Sequence, residues 1–380
     1  MTDHLATATE VAEALRADAA ERDRANRPPL PEIDLLRSSG LLGLPPDDHV
    51  GTHAVTRVIA AADASIGHLL GYHYLHLWRF GLFDNHEATA RIRRGTVENG
   101  WFWGGASNPG DVLTVTPSGG RLLLSGRRPF ATGAAVADRL IVNATRTDNG
   151  DRLTLDVDAH HPGVHHPDDW DNSGQRLTAS GSVVFTDVPV EPDQVVGVLP
   201  PADDPRMVRL VLSSIGYQSM LAQVCVALAE GALAEAAKYT RTKSRPWGTS
   251  GVDQAVQDPY VLAGYGEAVA ETRAAALMVD AGVSALQAAS DLGPAITPEL
   301  RGETGIVVST AKVVATGVAN RVTARAFDFI GARATTSALG FDRFWRNART
   351  LTLHDPVVYK AKEVGAHYLT GELPTPTAYS

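Results

Sequence analysis

The residues whose types and spacing best suit chemistry lie near the C-terminal end of the chain, in the segment WRNARTLTLHDP, residues 345–356. An arginine-rich stretch runs there into the adjacent pair His354 and Asp355, which Pro356 follows. Histidine titrates close to neutral pH, and proline ends a helix because it lacks the backbone donor. We therefore expect acid–base chemistry at this pair. The alternative is that His354 only stabilises a helix end through the helix dipole.

A second cluster of chemically capable side chains is the segment HHPGVHH, residues 160–166. Four histidines within seven residues could supply ligands to a metal ion. However, Pro162 and Gly163 predict a loop, and no carboxylate precedes the histidines at the spacing of a metal site. We interpret this segment as a solvated loop and predict no metal.

The composition excludes several classes of protein. The chain has 380 residues, a net charge of −9 and no run of lysine and arginine, so nucleic-acid binding is not expected. Its one cysteine, Cys225, excludes a disulfide framework and cysteine-based zinc sites, and we predict it to be a small core residue. The N-terminal segment has no apolar core of a signal peptide, and no strongly apolar run approaches the length of a membrane span. We expect a cytoplasmic protein.

The chain divides by its hydrophobic periodicity into three zones and is predicted to be α+β. Residues 1–98 repeat apolar positions at helical spacing, with a break at AADAS, and predict an N-terminal helical domain. Residues 99–205 contain short runs rich in β-branched residues, separated by PSGG and DNGD turns, and predict an antiparallel β-barrel or sandwich. Residues 206–380 contain long alanine-rich helices and a proline-bearing tail, and predict a four-helix bundle.

This order of domains resembles the acyl-CoA dehydrogenase fold, and five segments resemble that family's segments in the same order. They are DASIGHLLGYH, GGASNPGD, LSGRRPFATGAAVADRLIVNA, SVVFTDVPVEPDQVVG and RNARTLTLHDP. The dehydrogenases use a glutamate to remove a substrate proton. Asp355 stands at one of the two positions known for that base, and Tyr217 stands near the other. Dehydrogenation of a thioester is therefore disfavoured, although a dehydrogenase or oxidase that uses Asp355 remains an alternative.

The segments RNARTLTLHDP, YTRTKSRPW (239–247) and DPY (258–260) resemble a subgroup of this fold. It contains the reduced-flavin-dependent monooxygenases, such as the dibenzothiophene and alkylsulfone monooxygenases and the amine N-hydroxylases. The resemblance implies that a C4a-hydroperoxyflavin passes one oxygen atom from O₂ to a sulfur or nitrogen of a small organic substrate. Leu351 departs from the dibenzothiophene monooxygenases, which have a second histidine there, so a sulfur heterocycle is not assured as the substrate.

The resemblance also implies the roles of individual residues. His354 is expected to handle the proton and Asp355 to orient it, with His73 and Asn108 as further catalytic candidates. The residues expected to contact the flavin or its phosphate are Thr132, Asn108, Arg245, Trp247, Tyr260 and Arg346. Ordinary structural roles are the alternatives: a core histidine at His73, an Asn-Pro turn at Asn108, a strand threonine at Thr132 and an exposed loop charge at Arg245.

The cofactor and partners are predicted on the same basis. The dehydrogenases place FAD near paired glycines, whereas Gly331 here stands alone and Arg333 follows it, so FMN is favoured over FAD. No glycine-rich nicotinamide motif is present, which predicts that a separate NAD(P)H:flavin reductase supplies reduced flavin. The fold's relatives are homotetramers with flavin at a subunit interface. A non-catalytic flavin-binding module is a third possibility, against which the retained site residues argue.

Overall fold

The computed structural model describes residues 2–108 and 113–377, and its N-terminal part is helical. The helices are α1 (Thr2–Ala25), α2 (Leu30–Ser38), α3 (His49–Ala62), α4 (Ala64–Phe80) and α5 (His86–Asn99). The predicted break at AADAS is confirmed, because α3 ends at Ala62 and Asp63 caps α4 by accepting from the backbone amides of Ser65 and Ile66. The buried guanidinium of Arg22 binds the same carboxylate at 2.9 Å and so ties α1 to this junction.

The central part is one eight-stranded sheet. Its strands are β1 (Trp103–Ala106), β2 (Thr114–Ser118), β3 (Arg121–Arg128), β4 (Arg139–Arg146), β5 (Arg152–Asp158), β6 (Val164–His165), β7 (Val183–Val190) and β8 (Val195–Val198). The strand order is β6-β7-β3-β2-β4-β5-β8, and β1 pairs with β4. The predicted turns PSGG and DNGD do join antiparallel neighbours, β2 with β3 and β4 with β5.

The sheet is mixed, so the prediction of a wholly antiparallel domain is wrong at two pairings. Both β1 and β2 run parallel to β4, with Trp103 opposite Arg139 and Thr114 opposite Thr145. They lie one after the other along the same edge of β4. Hairpin turns predict only the pairing of neighbouring strands, whereas these two pairings join strands that are distant in the chain.

The C-terminal part is a helical bundle, as predicted. Its helices are α6 (Met207–Leu210), α7 (Leu212–Thr242), α8 (Pro259–Asp291), α9 (Pro298–Ile330), α10 (Asp342–Leu351) and α11 (Val357–Thr370). The long helices α7, α8 and α9 pack on one another, and α11 adds a fourth helix against α9. Cys225 is fully buried in α7, which confirms its predicted place in the core.

Helix α4 lies between the sheet and the bundle, and this position decides which side chains reach the site. One side of α4 packs on β1 and the other side packs on α7. All of its residues except Arg79 are therefore buried, including three histidines and two tyrosines. An ordinary surface helix buries only one stripe.

One helical stretch, Met207–Thr242, has the length and apolar composition that a membrane span requires. The expectation that no segment would meet this criterion is therefore wrong. Within the protein, 78% of the most apolar window is buried, because α7 forms the centre of the bundle. A core helix meets the same criterion as a membrane span.

Candidate active site

The predicted pair His354 and Asp355 forms in the turn that joins α10 to α11. The imidazole Nδ1 of His354 lies 3.1 Å from Oδ1 of Asp355. A carboxylate can only accept, so Nδ1 carries the proton and donates it to this hydrogen bond. The side chain of His354 is 35% exposed, whereas that of Asp355 is 7% exposed. The histidine is therefore the accessible member of the pair, and the aspartate supports it from inside the protein.

A third residue, Lys312 of α9, completes this arrangement. Its ammonium Nζ lies 3.7 Å from Oδ1 of Asp355, and its side chain is 2% exposed. Burial alone would raise the pKa of Asp355, but the hydrogen bond from His354 and the charge of Lys312 together lower it to about 2. Burial lowers the pKa of Lys312, and the carboxylate of Asp355 opposes part of that shift. Asp355 is consequently ionised at neutral pH.

The ring of His68 on α4 lies close to His354 and Lys312. Its Nδ1 is 3.2 Å from Oε1 of Gln175, and its buried Nε2 has no hydrogen-bond partner among the described residues. Burial lowers the pKa of His68 to about 4, the bond to Gln175 opposes the shift, and the positive charges of His354 and Lys312 lower the pKa further. His68 is therefore a neutral imidazole at neutral pH.

The loop that carries Gln175 is held by α10. The backbone amide of Gln175 donates to the side-chain oxygen of Asn347 at 2.6 Å. Gly174 permits this approach, because a Cβ at that position would lie 2.0 Å from the carbonyl oxygen of Arg346. The segment before His354 thus positions the residue that orients His68.

A row of polar rings extends along α4 away from His354. His68, Tyr72 and His76 are four residues apart and so share one face of the helix. The ring of Tyr72 meets that of His68 edge-on at 4.4 Å and that of Tyr217 on α7 at 5.1 Å. The hydroxyl of Tyr217 is 2.8 Å from Nδ1 of His76. Tyr217 therefore belongs to the same polar row.

Asn108 and Thr132 both lie beside β1, in the two loops that are expected to contact flavin. Asn108 is in the loop that follows β1, and Thr132 is in the loop that follows β3. The amide nitrogen of Asn108 donates to the carbonyl of Pro129 at 3.2 Å, and its buried amide oxygen has no partner in the described parts of the chain. The hydroxyl of Thr132 accepts from Ser180 at 3.0 Å, and its carbonyl accepts from the amide of Gly105. The rest of the GGASNPGD segment, residues 109–111, lies outside the described residues.

The assignment of His73 to catalysis is not supported by its contacts. Its Nε2 lies 2.9 Å from the carbonyl of Leu42, and its Nδ1 accepts from the backbone amide of Trp103 at 3.2 Å. The ring is fully buried and stacks on Phe102. Both nitrogens are thus used by backbone groups, which is the role of a core histidine. His68, whose pKa is lowered in part by the charge of His354, lies on a different face of α4 from His73.

The assignment of Arg346 to flavin binding is also not supported. Its guanidinium forms ion pairs with Asp23 of α1 and with Asp342, the latter at 2.8 Å, and donates to the carbonyl of Ser173 at 2.8 Å. Two carboxylates neutralise its charge within the subunit. Arg346 instead ties α10 to α1 and to the loop before Gln175.

The three predicted contacts at the junction of α7 and α8 lie on the surface of the subunit. Trp247 is 77% exposed and Tyr260 is 87% exposed, and Arg245 in the connecting loop is exposed as well. Over residues 2–108 and 113–377, Arg245 makes no hydrogen bond or ion pair. Within one subunit these residues do not join the group formed by His354, Asp355, Lys312 and His68, which we call the His354 cluster. Gly331, whose φ is +77°, ends α9 at the surface, and Arg333 is exposed too.

The histidine segment 160–166 differs in part from the predicted loop, because Val164–His165 forms the short strand β6 against β7. His160 is 74% exposed and lies 3.8 Å from a carboxylate oxygen of Asp138. Nδ1 of His161 accepts from the amide of Gly163. Among the described residues, no group of three or more histidine, cysteine or acidic side chains has the arrangement of a metal site.

Two residues of the site were missed by the sequence analysis, and each had a signal. His68 is the first member of the H-x₃-Y-x₃-H spacing in HLLGYHYLH, which places three polar rings on one helical face. Lys312 is the single charged residue in the apolar stretch GIVVSTAKVVATGVAN, residues 305–320. A charge at such a position is buried with a partner or serves a function.

Comparison with known proteins identifies the family of the chain. Residues 219–358 match the family model described as acyl-CoA dehydrogenase, C-terminal domain. The chain is 39% identical to dibenzothiophene monooxygenase of Rhodococcus erythropolis, over 98% of this chain and 95% of that protein. It is 36% identical to the probable FMNH₂-dependent monooxygenase SfnC of Pseudomonas putida, over 99% and 97% of the two chains. The solved structure of methanesulfinate monooxygenase MsuC from Pseudomonas fluorescens matches with a TM-score of 0.92 at 36% identity, covering 99% of each chain.

These matches extend over almost the whole chain and include the helical, β and bundle parts that hold the His354 cluster. The dehydrogenase-type bundle is present, and it carries the His354–Asp355 pair with the buried Lys312 beside it. The chain therefore belongs to the flavin-dependent monooxygenases of the acyl-CoA dehydrogenase fold, the family that includes dibenzothiophene monooxygenase.

Proposed function

We propose that the protein is a two-component monooxygenase that uses reduced FMN and O₂ to transfer one oxygen atom to the sulfur of a small organic compound. The second oxygen atom leaves as water, and the reduced flavin supplies the two electrons. The observation that carries the proposal is the hydrogen bond from Nδ1 of His354 to the ionised carboxylate of Asp355. That bond fixes the tautomer of His354 and leaves Nε2 as the atom that takes or gives a proton.

The alternative function, a dehydrogenase that uses Asp355 as its base, is disfavoured by the same contacts. A carboxylate whose pKa is about 2 is a weak base, and its Oδ1 is already engaged by His354 and Lys312. Abstraction of a weakly acidic Cα proton requires a base of much higher pKa. Asp355 therefore acts through His354 and not on the substrate.

The residues beside β1 fit an FMN ring. The amide oxygen of Asn108 is buried without a partner among the described residues, and the hydroxyls of Thr132 and Ser180 lie together at the next loop. Such groups suit the polar edge of a flavin, which both donates and accepts hydrogen bonds. The exposed Arg245 suits the phosphate, because a guanidinium engages phosphate oxygens through two donors. The relative SfnC is named as FMNH₂-dependent, which supports FMN over FAD.

Two functional partners follow from this proposal. The first is a separate NAD(P)H:flavin reductase, since the enzyme consumes flavin that is already reduced. Its nicotinamide substrates are cytoplasmic metabolites, so we place the enzyme in the cytoplasm as well.

The second partner is another copy of the same chain, in a homotetramer. The large apolar side chains that α8, α11 and the α7–α8 junction expose support this assembly: Trp247, Tyr260, Leu277, Tyr368 and Leu369. Each of them is more than 70% exposed in the single subunit. Aromatic and large aliphatic side chains with this much exposure are typical of a protein interface. In such an assembly, Arg245 of one subunit would reach the flavin that a neighbouring subunit holds, whereas it does not reach the flavin site of its own subunit.

The test of the proposed function is a reconstituted reaction with ¹⁸O₂. Purified protein, FMN, NADH and a flavin reductase are combined with dimethyl sulfide or methanesulfinate, and the product is analysed by mass spectrometry. We expect one ¹⁸O atom in the product and no product when the reductase is omitted. NADH oxidation by this chain alone, or formation of enoyl-CoA from acyl-CoA substrates, would contradict the proposal.

A further inference from the structure

Arg79, in the last turn of α4, is a half-buried arginine with an unusual set of partners. Its guanidinium donates to the side-chain oxygen of Asn143 on β4 at 3.1 Å. Among the described residues it forms no ion pair with a carboxylate. By contrast, Arg139 on the same strand is paired with Asp156 at 2.5 Å. A half-buried guanidinium without a carboxylate partner keeps donors that an anionic ligand can use.

The groups around Arg79 are donors or neutral rings. The guanidinium of Arg79 and the hydroxyl of Ser107 lie beside the hydroxyl of Tyr217. Burial raises the pKa of Tyr217, and these two groups oppose part of that rise. On its other side, this hydroxyl meets Nδ1 of His76 at 2.8 Å. Burial keeps the pKa of His76 well below its usual value, so that ring is neutral. When Nδ1 of His76 donates to Tyr217, the tyrosine proton is available to a further acceptor.

We call Arg79, Tyr217, Ser107, Asn143 and His76 the Arg79 cluster. It lies between α4, α7 and the strands β1 and β4, yet Arg79, Tyr217, Ser107 and Asn143 each retain partial exposure. These four side chains are therefore not enclosed by packing on every side. Tyr72 links the Arg79 cluster to His68, because its ring contacts those of both Tyr217 and His68.

We propose that the Arg79 cluster binds the oxyanion of the substrate and that the substrate class is a short alkanesulfinate. This inference rests on the proposed function. A sulfinate carries a negative charge on its two oxygens and a lone pair on its sulfur. Its oxygens can therefore bind the guanidinium while its sulfur accepts the oxygen atom. The balanced reaction is RSO₂⁻ + O₂ + FMNH₂ → RSO₃⁻ + FMN + H₂O. A neutral thioether or thiophene would instead place apolar surface against an uncompensated charge, which is costly.

The first experiment measures binding without turnover. Methanesulfonate, the product of methanesulfinate oxidation, is titrated into the purified protein by calorimetry, with dimethyl sulfone as the neutral control. We expect the sulfonate to bind in the wild type and Arg79→Met to weaken it roughly 10- to 100-fold, the range for a hydrogen bond to a charged group. Arg79→Lys should recover part of the affinity because it retains the charge. Equal affinity in the wild type and Arg79→Met would overturn the assignment.

The second experiment measures the reductase-coupled oxidation of methanesulfinate and of dimethyl sulfide. Arg79→Met should raise KM for the sulfinate by a larger factor than KM for the sulfide, so that the ratio of kcat/KM for the sulfinate to kcat/KM for the sulfide falls. Tyr217→Phe, which keeps the ring, should raise KM for the sulfinate by a smaller factor, and it tests the cluster if Arg79→Met does not fold. The wild type could oxidise the sulfide but neither bind the sulfonate nor oxidise the sulfinate. That result would contradict the proposed subsite and leave the proposed function standing. The protein could instead bind the sulfonate through Arg79 and oxygenate no sulfur compound. That result would support the subsite and contradict the proposed function.

Discussion

Lys312 and Asp355 form a buried ion pair beneath the exposed histidine of the site. Nζ of Lys312 lies 3.7 Å from Oδ1 of Asp355, and the two side chains are 2% and 7% exposed. The same oxygen accepts from His354. The carboxylate therefore joins a charge in the interior of α9 to the ring that faces the solvent side of the site. Removal of either charged partner would leave the other buried and uncompensated.

The first prediction concerns this ion pair. Lys312→Met should lower the free energy of unfolding by about 3 kcal/mol, because it leaves the Asp355 charge unpaired. It should also raise the pKa of Asp355 and move the acid limb of the pH–rate profile upward. Urea unfolding and rates from pH 5 to 8 measure the two effects. The double variant Lys312→Met/Asp355→Asn should recover most of the stability without recovering the rate. If the single variant is as stable and as active as the wild type, the pair has neither role.

The second prediction concerns His354. His354→Ala should reduce oxygenation by at least roughly 100-fold, since it removes the group that moves a proton. The fold should persist, because this side chain is 35% exposed. Product formation and circular dichroism are the measurements, and His160→Ala is the matched control because His160 is 74% exposed in a loop. Full turnover by His354→Ala would exclude His354 from the chemistry.

The third prediction separates the two histidines of α4. His73→Ala should cost about 2–4 kcal/mol of stability, because it opens a cavity and leaves the amide of Trp103 and the carbonyl of Leu42 unpaired. His68→Ala should instead reduce turnover by at least roughly tenfold with a smaller loss of stability. Thermal unfolding and steady-state rates of the two variants check this contrast. The reverse pattern would restore His73 to the catalytic role that the sequence predicted.

The fourth prediction concerns stability at mildly acidic pH. Burial lowers the pKa values of His49, His68 and His73 to about 4 and that of His53 to about 3, below the ordinary value of 6.5. The unfolded chain therefore binds more protons than the folded chain between pH 6.5 and about 4. Stability should be fully present above pH 6.5 and fall as the pH drops through this window, by up to roughly 1.4 kcal/mol per pH unit for each histidine.

Urea unfolding at pH 7.5, 6 and 5 measures this slope. His49 is a suitable probe, because neither ring nitrogen has a partner among the described residues and its ring lies 4.5 Å from that of Trp78. His49→Phe removes the titrating group and should make the dependence on pH shallower. An unchanged slope in this variant would mean that His49 does not contribute.

The fifth prediction concerns assembly. Leu277→Asp on α8 and Tyr368→Asp on α11 place charges at side chains that are 72% and 87% exposed in the subunit. Both should shift the protein from a tetramer toward smaller species and weaken FMN binding, with little change in helix content. Light scattering and flavin fluorescence are the readouts. His160→Asp, in an exposed loop of the β part, is the control that should remain tetrameric. A wild type that is a monomer and binds FMN tightly would refute the assembly.

The elements of this protein could be predicted from its sequence because their signals are local. Helical spacing of apolar residues, the AADAS break and the PSGG and DNGD turns each act over a few residues, and the structure confirms them. The pairing of β1 and β2 with β4 could not be predicted in this way, since it joins distant strands. The neighbours His354 and Asp355 could be identified as a pair for the same reason, as a hydrogen bond between adjacent residues needs no tertiary information.

The rest of the site was decided by tertiary structure. Helix α4 is buried on almost every side, so no hydrophobic stripe indicates that His68 faces His354 while His73 faces β1. Arg346 has a plausible charge for phosphate, but Asp23, near the opposite end of the chain, neutralises it. Arg79 and Lys312 have ordinary sequence neighbours, and only packing shows that one lacks a counter-charge and the other has Asp355. The sequence determined which side chains could titrate or bind a ligand. The charge and accessibility of those side chains depend on burial and on non-local partners, which exist only once distant segments have packed together.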